Sequence, residues 1–473
     1  MSRLVAVSNR VGSVRDVASV GGLAVALFEA LHERGGLWLG YSSKATREPT
    51  DTPRVVEDSG LTLATLDLPA DEHEGYYYGY SNRCLWPICH YRPDLVDFRR
   101  ADFQAYCTVN RRFARALAPL LRPDDLIWAH DYHLFPLASE LRKLGVRQRI
   151  GFFLHIPFPP ADLLAALPEH MGLLRNLFDY DLVGFQTELD LRHFGECVER
   201  LAGGVAEGQR VRAFEREIRA GAFPIGIDAR EFRELAVSLA GTREFTRMRE
   251  VLRGHTQIIG VDRLDYSKGI LRRMRAVETL FDRYPSTHRQ LEYLQIAPLS
   301  RRELKAYEDF RHELELEAAH INGRFGTFDW TPVRYLNQPL PRRTLAGLYR
   351  ASRIGLVTPL RDGMNLVAKE YVAAQDPEDP GILVLSRFAG AARQMRDALQ
   401  VNPYDTEEVA DAIERARTMP LEERIRRHER LMETLQREDV AYWREQFLGA
   451  LAAPAPRTSK GGARLTAVRA MEE

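Results

Sequence analysis

The sequence of 473 residues is short of cysteine and has no excess of either charge, and both features narrow its possible functions. The four cysteines, Cys84, Cys89, Cys107 and Cys197, form no Cys-x-x-Cys pair, which favours a reduced cytoplasmic enzyme with unpaired thiols. The 66 basic residues balance 66 acidic ones, so we expect neither nucleic acid nor an anionic membrane as the main partner.

Long apolar runs and the common glycine-rich phosphate motifs are missing as well. No apolar run approaches the roughly 20 residues that a membrane-spanning helix needs, and residues 1–7 are typical of a first strand, not of a signal peptide. The sequence has no Gly-x-Gly-x-x-Gly and no Gly-x4-Gly-Lys-Ser/Thr, so neither a nicotinamide dinucleotide site nor a P-loop is supported. The length suits two or three domains.

What the sequence does contain is an alternation of short apolar runs with helical patterns. The runs are rich in Val, Ile, Leu and Phe, as in strands covered on both faces. They are Leu4–Ser8, Leu126–Ala129, Ile150–Leu154, Leu182–Phe185, Ile258–Val261, Leu291–Ile296, Ile354–Val357 and Ile382–Leu385. Helical patterns such as Gly22–Arg34 and Ile270–Tyr284 lie between them, which predicts parallel sheets in an α/β fold.

The strands fall into two sets, one before Pro224 and one after Gln257, so we expect two doubly wound domains that face each other. Residues 228–254 between the sets are typical of helix and connector. The stretch Thr406–Ala452 is predicted to be helical, and the Pro-, Gly- and Ser-rich tail 453–473 to be disordered.

The segment Val357–Glu370 ends a strand and begins a helix from about Asn365 to Gln375. The N–H groups at a helix start suit a phosphate, and the carboxylates of Asp362 and Glu370 lie beside them. This arrangement favours a sugar nucleotide as ligand. The alternative is that Asp362 caps the helix and Glu370 is a solvated helix charge.

Hydrogen-bonding and cationic residues follow most of the predicted strands, where ligands bind in open α/β sheets. They include Asn9, Arg10, His130, Asp131, Tyr132, His133, His155, Gln186, Thr187, Arg263, Lys268 and Arg301. Arg263 and Lys268, next to the Gly269 helix start, are suited to a diphosphate; alternatively they are surface cations. Arg10 and Arg301 are suited to a second anion or to salt bridges.

Two further groups have open interpretations. The three histidines His130, His133 and His155 would be unusual metal ligands at this spacing, and hydrogen bonding to hydroxyls is the favoured use. Tyr77 and Trp86 lie in an aromatic segment that suits stacking on a sugar or, equally, the packing of a partly buried loop.

Five runs in this order resemble the trehalose-6-phosphate synthase family over about residues 1–447. The runs are Ser8–Arg10, His130–Leu134, His155–Pro159, Arg263–Gly269 and Arg361–Tyr371. The resemblance implies a retaining glycosyltransferase of the GT-B fold, with two Rossmann-like domains and the active site in the cleft between them. It implies glucosyl transfer from UDP-glucose to glucose 6-phosphate, which yields trehalose 6-phosphate and UDP.

The resemblance also assigns domains and site residues. An acceptor-binding domain would span 1–227, joined by the helix 440–452, and a nucleotide-sugar domain would span 228–439. The implied acceptor residues are Arg10, Tyr77, Trp86, Asp131 and Arg301. The implied donor residues are Gly21, Gly22, Arg263, Lys268, Leu340, Asp362, Gly363, Met364, Asn365, Leu366, Val367, Ala368, Lys369 and Glu370. The implied catalytic residues are His155, Asp131, Asp362, Arg263 and Lys268.

The resemblance implies no metal, no cofactor beyond the two substrates, and a homo-oligomer, dimer or tetramer. Two departures from the family matter: Tyr41 stands where a tryptophan is frequent, and Leu340 where an aromatic residue often lies near the nucleobase. The base of the donor therefore stays open between UDP, GDP and ADP. Other interpretations are a related transferase for a pseudo-sugar or another phosphorylated acceptor, and a catalytically silent sugar-phosphate sensor.

Overall fold

A computed structural model gives the structure of residues 2–11, 27–28, 30–32, 35–58, 60–240, 242–251, 255–301 and 304–453. Of the predicted helix Gly22–Arg34, residues 27–28 and 30–32 are described, and they are helical. The predicted donor residues Gly21 and Gly22 lie outside the described residues, as does the tail from residue 454 onward.

The first half of the chain forms a sheet that is parallel in its centre. Its strands are β1 (Leu4–Arg10), β2 (Leu37–Thr46), β3 (Arg54–Asp58), β4 (Leu61–Pro69), β5 (Leu126–His130), β6 (Arg149–Phe153), β7 (Leu182–Phe185), β8 (Val205–Glu207), β9 (Arg210–Ala213) and β10 (Arg216–Ala222). Within the described residues their order is β3-β4-β2-β1-β5-β6-β7-β10-β9-β8. Neighbours from β4 to β10 are parallel, whereas β3 pairs antiparallel with β4, β9 with β10 and β8 with β9.

The second half forms a sheet that is parallel throughout. Its strands are β11 (Thr256–Val261), β12 (Leu291–Ile296), β13 (Val333–Leu336), β14 (Ile354–Val357), β15 (Ile382–Ser386) and β16 (Leu399–Val401). In the part of the chain that is described, the order is β13-β12-β11-β14-β15-β16. Each neighbouring pair is parallel.

Helices connect these strands and cover both sheets. In the first half they are α1 (Ala70–His73), α2 (Trp86–Cys89), α3 (Arg100–Leu117), α4 (Leu137–Lys143), α5 (Ala161–Leu164), α6 (His170–Leu177) and α7 (Glu188–Ala202). In the second half they are α8 (Ala229–Ala240), α9 (Arg243–Val251), α10 (Ile270–Arg283), α11 (Lys305–Phe325), α12 (Arg342–Ala351), α13 (Leu366–Ala374), α14 (Thr406–Thr418), α15 (Leu421–Arg437) and α16 (Val440–Ala452). Short 3-10 turns lie at 93–95, 118–120, 132–134, 266–268, 285–287 and 390–393.

The aromatic segment before α2 is a π-helix, Glu74–Leu85, and not a loop. It packs against α3 so closely that a Cβ on Gly79 would lie 2.5 Å from the carboxyl carbon of Asp102. Glycine is therefore required at this contact. π-Helices are rare and are frequently found at functional sites, and this one carries Tyr77 and leads directly into Trp86.

The last helix, α16, returns to the first sheet, as the sequence analysis expected. The Phe447 ring stacks on Trp128 of β5, with ring centroids 4.9 Å apart. A Cβ on Gly151 of β6 or on Gly184 of β7 would lie 2.8 or 2.6 Å from that ring, so both positions require glycine. Burial of Phe447, Leu448 and Leu451 stabilises this packing by about 1.5–3 kcal/mol each.

The structure confirms the predicted α/β fold with two parallel sheets, and it confirms the eight predicted strands to within a few residues. Of the range 228–254, residues Ala229–Ala240 and Arg243–Val251 form α8 and α9, and Thr406–Ala452 forms three helices, as expected in outline. The strands β2, β4 and β13, among others, were not predicted from the sequence. No helix in the described ranges is long and apolar enough to cross a membrane.

Candidate functional site

The candidate site lies where the carboxyl ends of the two parallel sheets face each other. Contacts across this cleft are close: a Cβ on Gly363, which follows β14, would lie 2.0 Å from the carbonyl oxygen of His155, which follows β6. Only a residue without a side chain allows the two loops to approach in this way. The ends of strands in both halves therefore form one site.

The turn after β11 positions the two predicted diphosphate cations. The Asp265 carboxylate accepts from the Ser267 N–H at 2.9 Å, which starts the turn. Gly269 ends it with φ at +68°, and a Cβ there would lie 2.3 Å from the Thr358 carbonyl oxygen. This geometry leaves the Arg263 side chain exposed and brings Lys268 to the loop after β14.

At that loop, Lys268 forms an ion pair with Asp362. The same carboxylate accepts from the Asn365 amide at 3.0 Å. Asn365 precedes α13 with φ at +74°, and no side chain caps the helix start. The interpretation of Asp362 as a helix cap is therefore wrong. The carboxylate binds a cation and an amide, and the helix amides of residues 366–368 are left without a side-chain cap.

Further along α13, the side chains of Lys369 and Glu370 differ in their surroundings. The Lys369 ammonium donates to the carbonyl of Ile225 at 2.6 Å and to Gln394 at 2.7 Å, so it is engaged within the protein. Burial raises the pKa of Glu370 to about 7, against the opposing effect of Arg342. Leu340 is partly buried two residues before α12 begins at Arg342.

Arg301 lies at the centre of a buried cluster that we call the arginine wall, formed by Arg301, Asp265, Tyr307, Tyr132 and Trp86. The guanidinium donates to Asp265 at 2.9 Å and to the Tyr132 hydroxyl at 3.3 Å. It stands 3.9 Å from the centre of the Trp86 ring, a cation–π distance. Burial alone would raise the pKa of Asp265, but Arg301, together with the smaller effects of Lys268 and Arg263 among others, more than offsets it and the pKa is lowered.

Asp131 projects towards this wall from a strained backbone. Its φ of 77° and ψ of 165° lie in a region that is almost restricted to glycine. One carboxylate oxygen accepts from the His155 N–H at 3.2 Å. Burial raises its pKa to about 6, although Arg263 and Arg301 are close enough to oppose the rise. Arg301 and Asn365 also have positive φ, at 48° and 74°.

His155 and His130 bind each other, with 3.1 Å between His155 Nε2 and His130 Nδ1. The other nitrogen of His155, Nδ1, lies 3.4 Å from the Gln186 amide nitrogen. Burial lowers the pKa of His155 to about 3 and that of His130 well below its ordinary value, so both rings are neutral. His130 Nδ1 is thus used by His155, whereas the buried Nε2 of His130 has no hydrogen-bond partner among the described residues.

His133 and Tyr77 stack at the other end of the site, with ring centroids 5.7 Å apart. A series of ring contacts continues from Tyr77 through His73 to Tyr41, with centroid distances of 5.4 and 4.6 Å. Arg10, exposed at the end of β1, is close enough to lower the pKa of Tyr41 against the larger effect of burial. The aromatic series thus connects the surroundings of Arg10 with those of Arg301.

Three partners of Arg301 were not assigned to the site from the sequence. Asp265 and Tyr132 follow predicted strands, and this position could have indicated that they belong to the site. Tyr307 lies inside α11, where no sequence pattern indicates a role in the site. Gln186 was noted at a strand end without a role. Within the described residues, no group of three or more His, Cys, Asp or Glu side chains is arranged to hold a metal ion.

Two facing sheets that are parallel in their centres, with a cation-rich turn and an uncapped helix start at their carboxyl ends, have the architecture of a glycosyltransferase of the GT-B type. The chain belongs to glycosyltransferase family 20, whose model matches residues 8–453. It is 50% identical to the trehalose-6-phosphate synthase of Sinorhizobium fredii over 463 residues, which cover 97% of this chain and 100% of that protein.

Two solved structures are also similar to the chain in fold and sequence. One is an alpha,alpha-trehalose-phosphate synthase (UDP-forming) from Burkholderia xenovorans in complex with glucose-6-phosphate, with a TM-score of 0.93 and 47% identity over 96% of this chain and 100% of that one. A structure from E. coli bound with UDP-2-fluoro glucose has a TM-score of 0.92 and 47% identity, with the same coverage.

Proposed function

We propose that this protein transfers glucose from UDP-glucose to glucose 6-phosphate with retention of configuration and so makes trehalose 6-phosphate and UDP. The observation that carries the proposal is the meeting of the arginine wall, Asp131 and the start of α13 in one cleft. The solved relatives bound to glucose-6-phosphate and to UDP-2-fluoro glucose support the same pair of substrates.

On the donor side, we assign the diphosphate to Arg263, Lys268 and the amides at the start of α13. Arg263 is exposed and Lys268 is bound to Asp362, so a diphosphate would take over part of the ion pair. Its charge would also interact with the positive end of the helix dipole. Released from Lys268, Asp362 would accept from hydroxyls of the donor glucose, and Glu370 from the ribose.

On the acceptor side, we assign the sugar phosphate to Arg10, Tyr77 and Arg301, and the sugar hydroxyls to Asp131. The Trp86 ring, which covers Arg301, would form the floor of this pocket. A guanidinium that is already fixed by Asp265 needs no rearrangement to bind an anion, which is favourable for affinity. These assignments support a phosphorylated sugar rather than a neutral one.

The chemistry follows from where charge develops. Departure of UDP places negative charge on the diphosphate, which the two cations and the helix amides stabilise. The glucosyl carbon becomes cationic and oxocarbenium-like. We infer that the acceptor hydroxyl attacks from the face that UDP leaves and that a phosphate oxygen of UDP takes its proton. A glucosyl adduct trapped on Asp131 or Asp362 would instead indicate a double displacement.

The main-chain carbonyl of His155 faces the Gly363 loop, while both ring nitrogens are bound within the protein. We infer that His155 contacts the donor glucose through this carbonyl or the ring edge.

The boundary between an acceptor-binding part, 1–227 with 440–452, and a nucleotide-sugar part, 228–439, agrees with the connection between β10 and α8 and remains our proposal. The homo-oligomer and the cytoplasmic location are likewise our proposals. The unpaired thiols support the location.

The direct test is release of UDP by the purified protein from UDP-glucose, with and without glucose 6-phosphate. We expect release that depends on the acceptor and formation of trehalose 6-phosphate. Absence of acceptor-dependent release with UDP-, GDP- or ADP-glucose would overturn the proposal. Comparison of the three donors also settles the base, which Leu340 leaves open because an aliphatic side chain gives no specific hydrogen bond to it.

A further inference from the structure

The two halves of the chain are joined at one compact junction, formed by Ile225 and Gly226 and by Glu438 and Asp439. Ile225 and Gly226 lie between β10 and α8, and Glu438 and Asp439 lie between α15 and α16. A Cβ on Gly226 would lie 2.4 Å from the Glu438 carbonyl oxygen, so the two connections touch. Any rotation of one half against the other has to pass through this junction.

The N–H group of Ile225 is connected to the histidine pair of the site. It donates to the Gln186 side-chain oxygen at 3.0 Å. The Gln186 amide nitrogen, which can only donate, then faces His155 Nδ1 at 3.4 Å. His155 Nδ1 must therefore accept, its proton must be on Nε2, and that proton is donated to His130 Nδ1. One backbone N–H thus determines the tautomers of two buried rings.

The carbonyl of the same residue is connected to the donor helix. It accepts from the Lys369 ammonium at 2.6 Å, and Lys369 also donates to Gln394 at 2.7 Å. Gln394 in turn donates to Glu438 at 2.5 Å, on the other connection of the junction. Lys369 is only 1% exposed, and burial lowers its pKa to about 7. A buried ammonium is an energetically costly way to satisfy one carbonyl.

We propose that Gln186 and Lys369 are positioning residues that act together through Ile225, so that the start of α13 and His155 are held in register across the junction. The inference rests on the proposed function in taking His155 and α13 as parts of one active site. Its physical content is that two side chains from different halves, which do not touch each other, fix the two peptide groups on either side of Ile225: Gln186 binds its N–H and Lys369 its carbonyl. Loss of either leaves Ile225 held on one side only and so removes the effect of the other.

The test is a double-variant cycle on the full chain with Gln186→Leu and Lys369→Met. We expect each change to lower kcat on the order of tenfold, as for a buried group left unsatisfied. The double variant should be no slower than about the slower single one, because both changes break the same connection. Multiplication to on the order of a hundredfold would mean two independent roles and would overturn the proposal.

Gln375 offers a matched control. Its buried amide donates to the Tyr349 and Tyr371 carbonyls at 2.7 and 3.0 Å and accepts from Gly381 at 2.9 Å, close to the end of α13 but away from the junction. Gln375→Leu should lower stability but leave kcat nearly unchanged. If Gln186→Leu and Lys369→Met change kcat no more than this control, the proposal is wrong. Should Lys369→Met not fold, Lys369→Gln takes its place in the cycle.

A second readout needs no substrate and so separates this inference from the proposed function. Nitrogen NMR of the protein with labelled histidine should show His155, identified by its loss in His155→Gln, with the proton on Nε2. In Gln186→Glu a carboxylate faces Nδ1, and we expect a proton to appear there. An Nδ1–H tautomer in the unchanged protein, or no response to Gln186→Glu, would refute the connection even if transfer activity is confirmed.

Discussion

The arginine wall and the turn after β11, which meets the start of α13, both present cations to the cleft, but they hold them in different ways. Arg301 is 4% exposed in its side chain and shares a 1% exposed carboxylate, two tyrosine hydroxyls and an indole ring. Lys268 has one carboxylate partner, and both side chains of that pair are 12% exposed. Arg263 is exposed, and its guanidinium carbon lies over the Trp86 ring, 5.9 Å from the ring centre.

The difference shows how one cleft can bind two anions with different tasks. In the proposed function the acceptor phosphate keeps its charge throughout the reaction, so a cation fixed in advance would bind it without rearrangement. The donor diphosphate gains charge in the transition state and then leaves, so its cations have to follow it. We therefore expect changes at the arginine wall to affect stability and changes at the turn after β11 to affect rate.

The largest effect should come from Asp265→Asn at the arginine wall. The change leaves Arg301 buried without its carboxylate, and removal of one partner from such a pair typically costs about 3–5 kcal/mol. Urea unfolding measures this loss. Asp329→Asn, at an exposed ion pair with Arg289, is the control and should lower the stability far less, because exposed ion pairs contribute little. Equal losses in the two variants would remove the distinction between the regions.

The strands that lead to both regions could be predicted from the sequence, because buried parallel strands are continuous apolar runs and their polar ends stand out. The partners at those ends could not. Tyr307 reaches Arg301 from inside α11, and no local pattern marks it. The positive φ of Asp131 and Arg301 is imposed by tertiary contacts on residues that do not favour it. The bond between His130 and His155 depends on Gln186, which is distant in sequence from both.

The next effect in size is expected from Arg263→Ala at the turn after β11. Loss of one charged contact to a leaving group in a closed site costs about 3–4 kcal/mol of transition-state stabilisation, so kcat/KM for UDP-glucose should fall on the order of a hundred- to a thousandfold. Unfolding in urea should be nearly unchanged, since the side chain is exposed. Unchanged kinetics would exclude Arg263 from the donor site.

Gly363→Ala tests whether the two regions must approach for catalysis. The added methyl would lie 2.0 Å from the His155 carbonyl oxygen, so the halves cannot keep their contact. We expect kcat to fall by about a hundredfold, as for a displacement of roughly 1 Å in a reacting geometry, and small-angle scattering to show a more open shape. Gly172→Ala, with no atom within 4 Å of the new Cβ, is the control. A closed shape with full activity would show that the contact is dispensable.

The smallest expected effect is a pH dependence of stability. It is specific to the helix start, because Glu370 and Lys369 titrate near neutral pH and the charged groups of the arginine wall do not. The pKa of Glu370 is raised from 4.5 to about 7 by burial, so its contribution to stability is present below 4.5 and is lost as pH rises through 7. The pKa of Lys369 is lowered from 10.5 to about 7 by burial, so its contribution is present above 10.5 and is lost as pH falls through 7.

Each shift gives a slope of up to about 1.4 kcal/mol per pH unit in the free energy of unfolding, downward from 4.5 to 7 for Glu370 and upward from 7 to 10.5 for Lys369. Urea unfolding between pH 5 and 10 should show that Glu370→Gln removes the fall and Lys369→Met the rise. Asp265, whose pKa is lowered, and Arg301, whose pKa is raised, stay charged over this range, so Asp265→Asn should shift the curve without changing its slope. A stability curve of the same shape in all three variants would mean that Glu370 and Lys369 do not cause the pH dependence, and it would remove this difference between the helix start and the arginine wall.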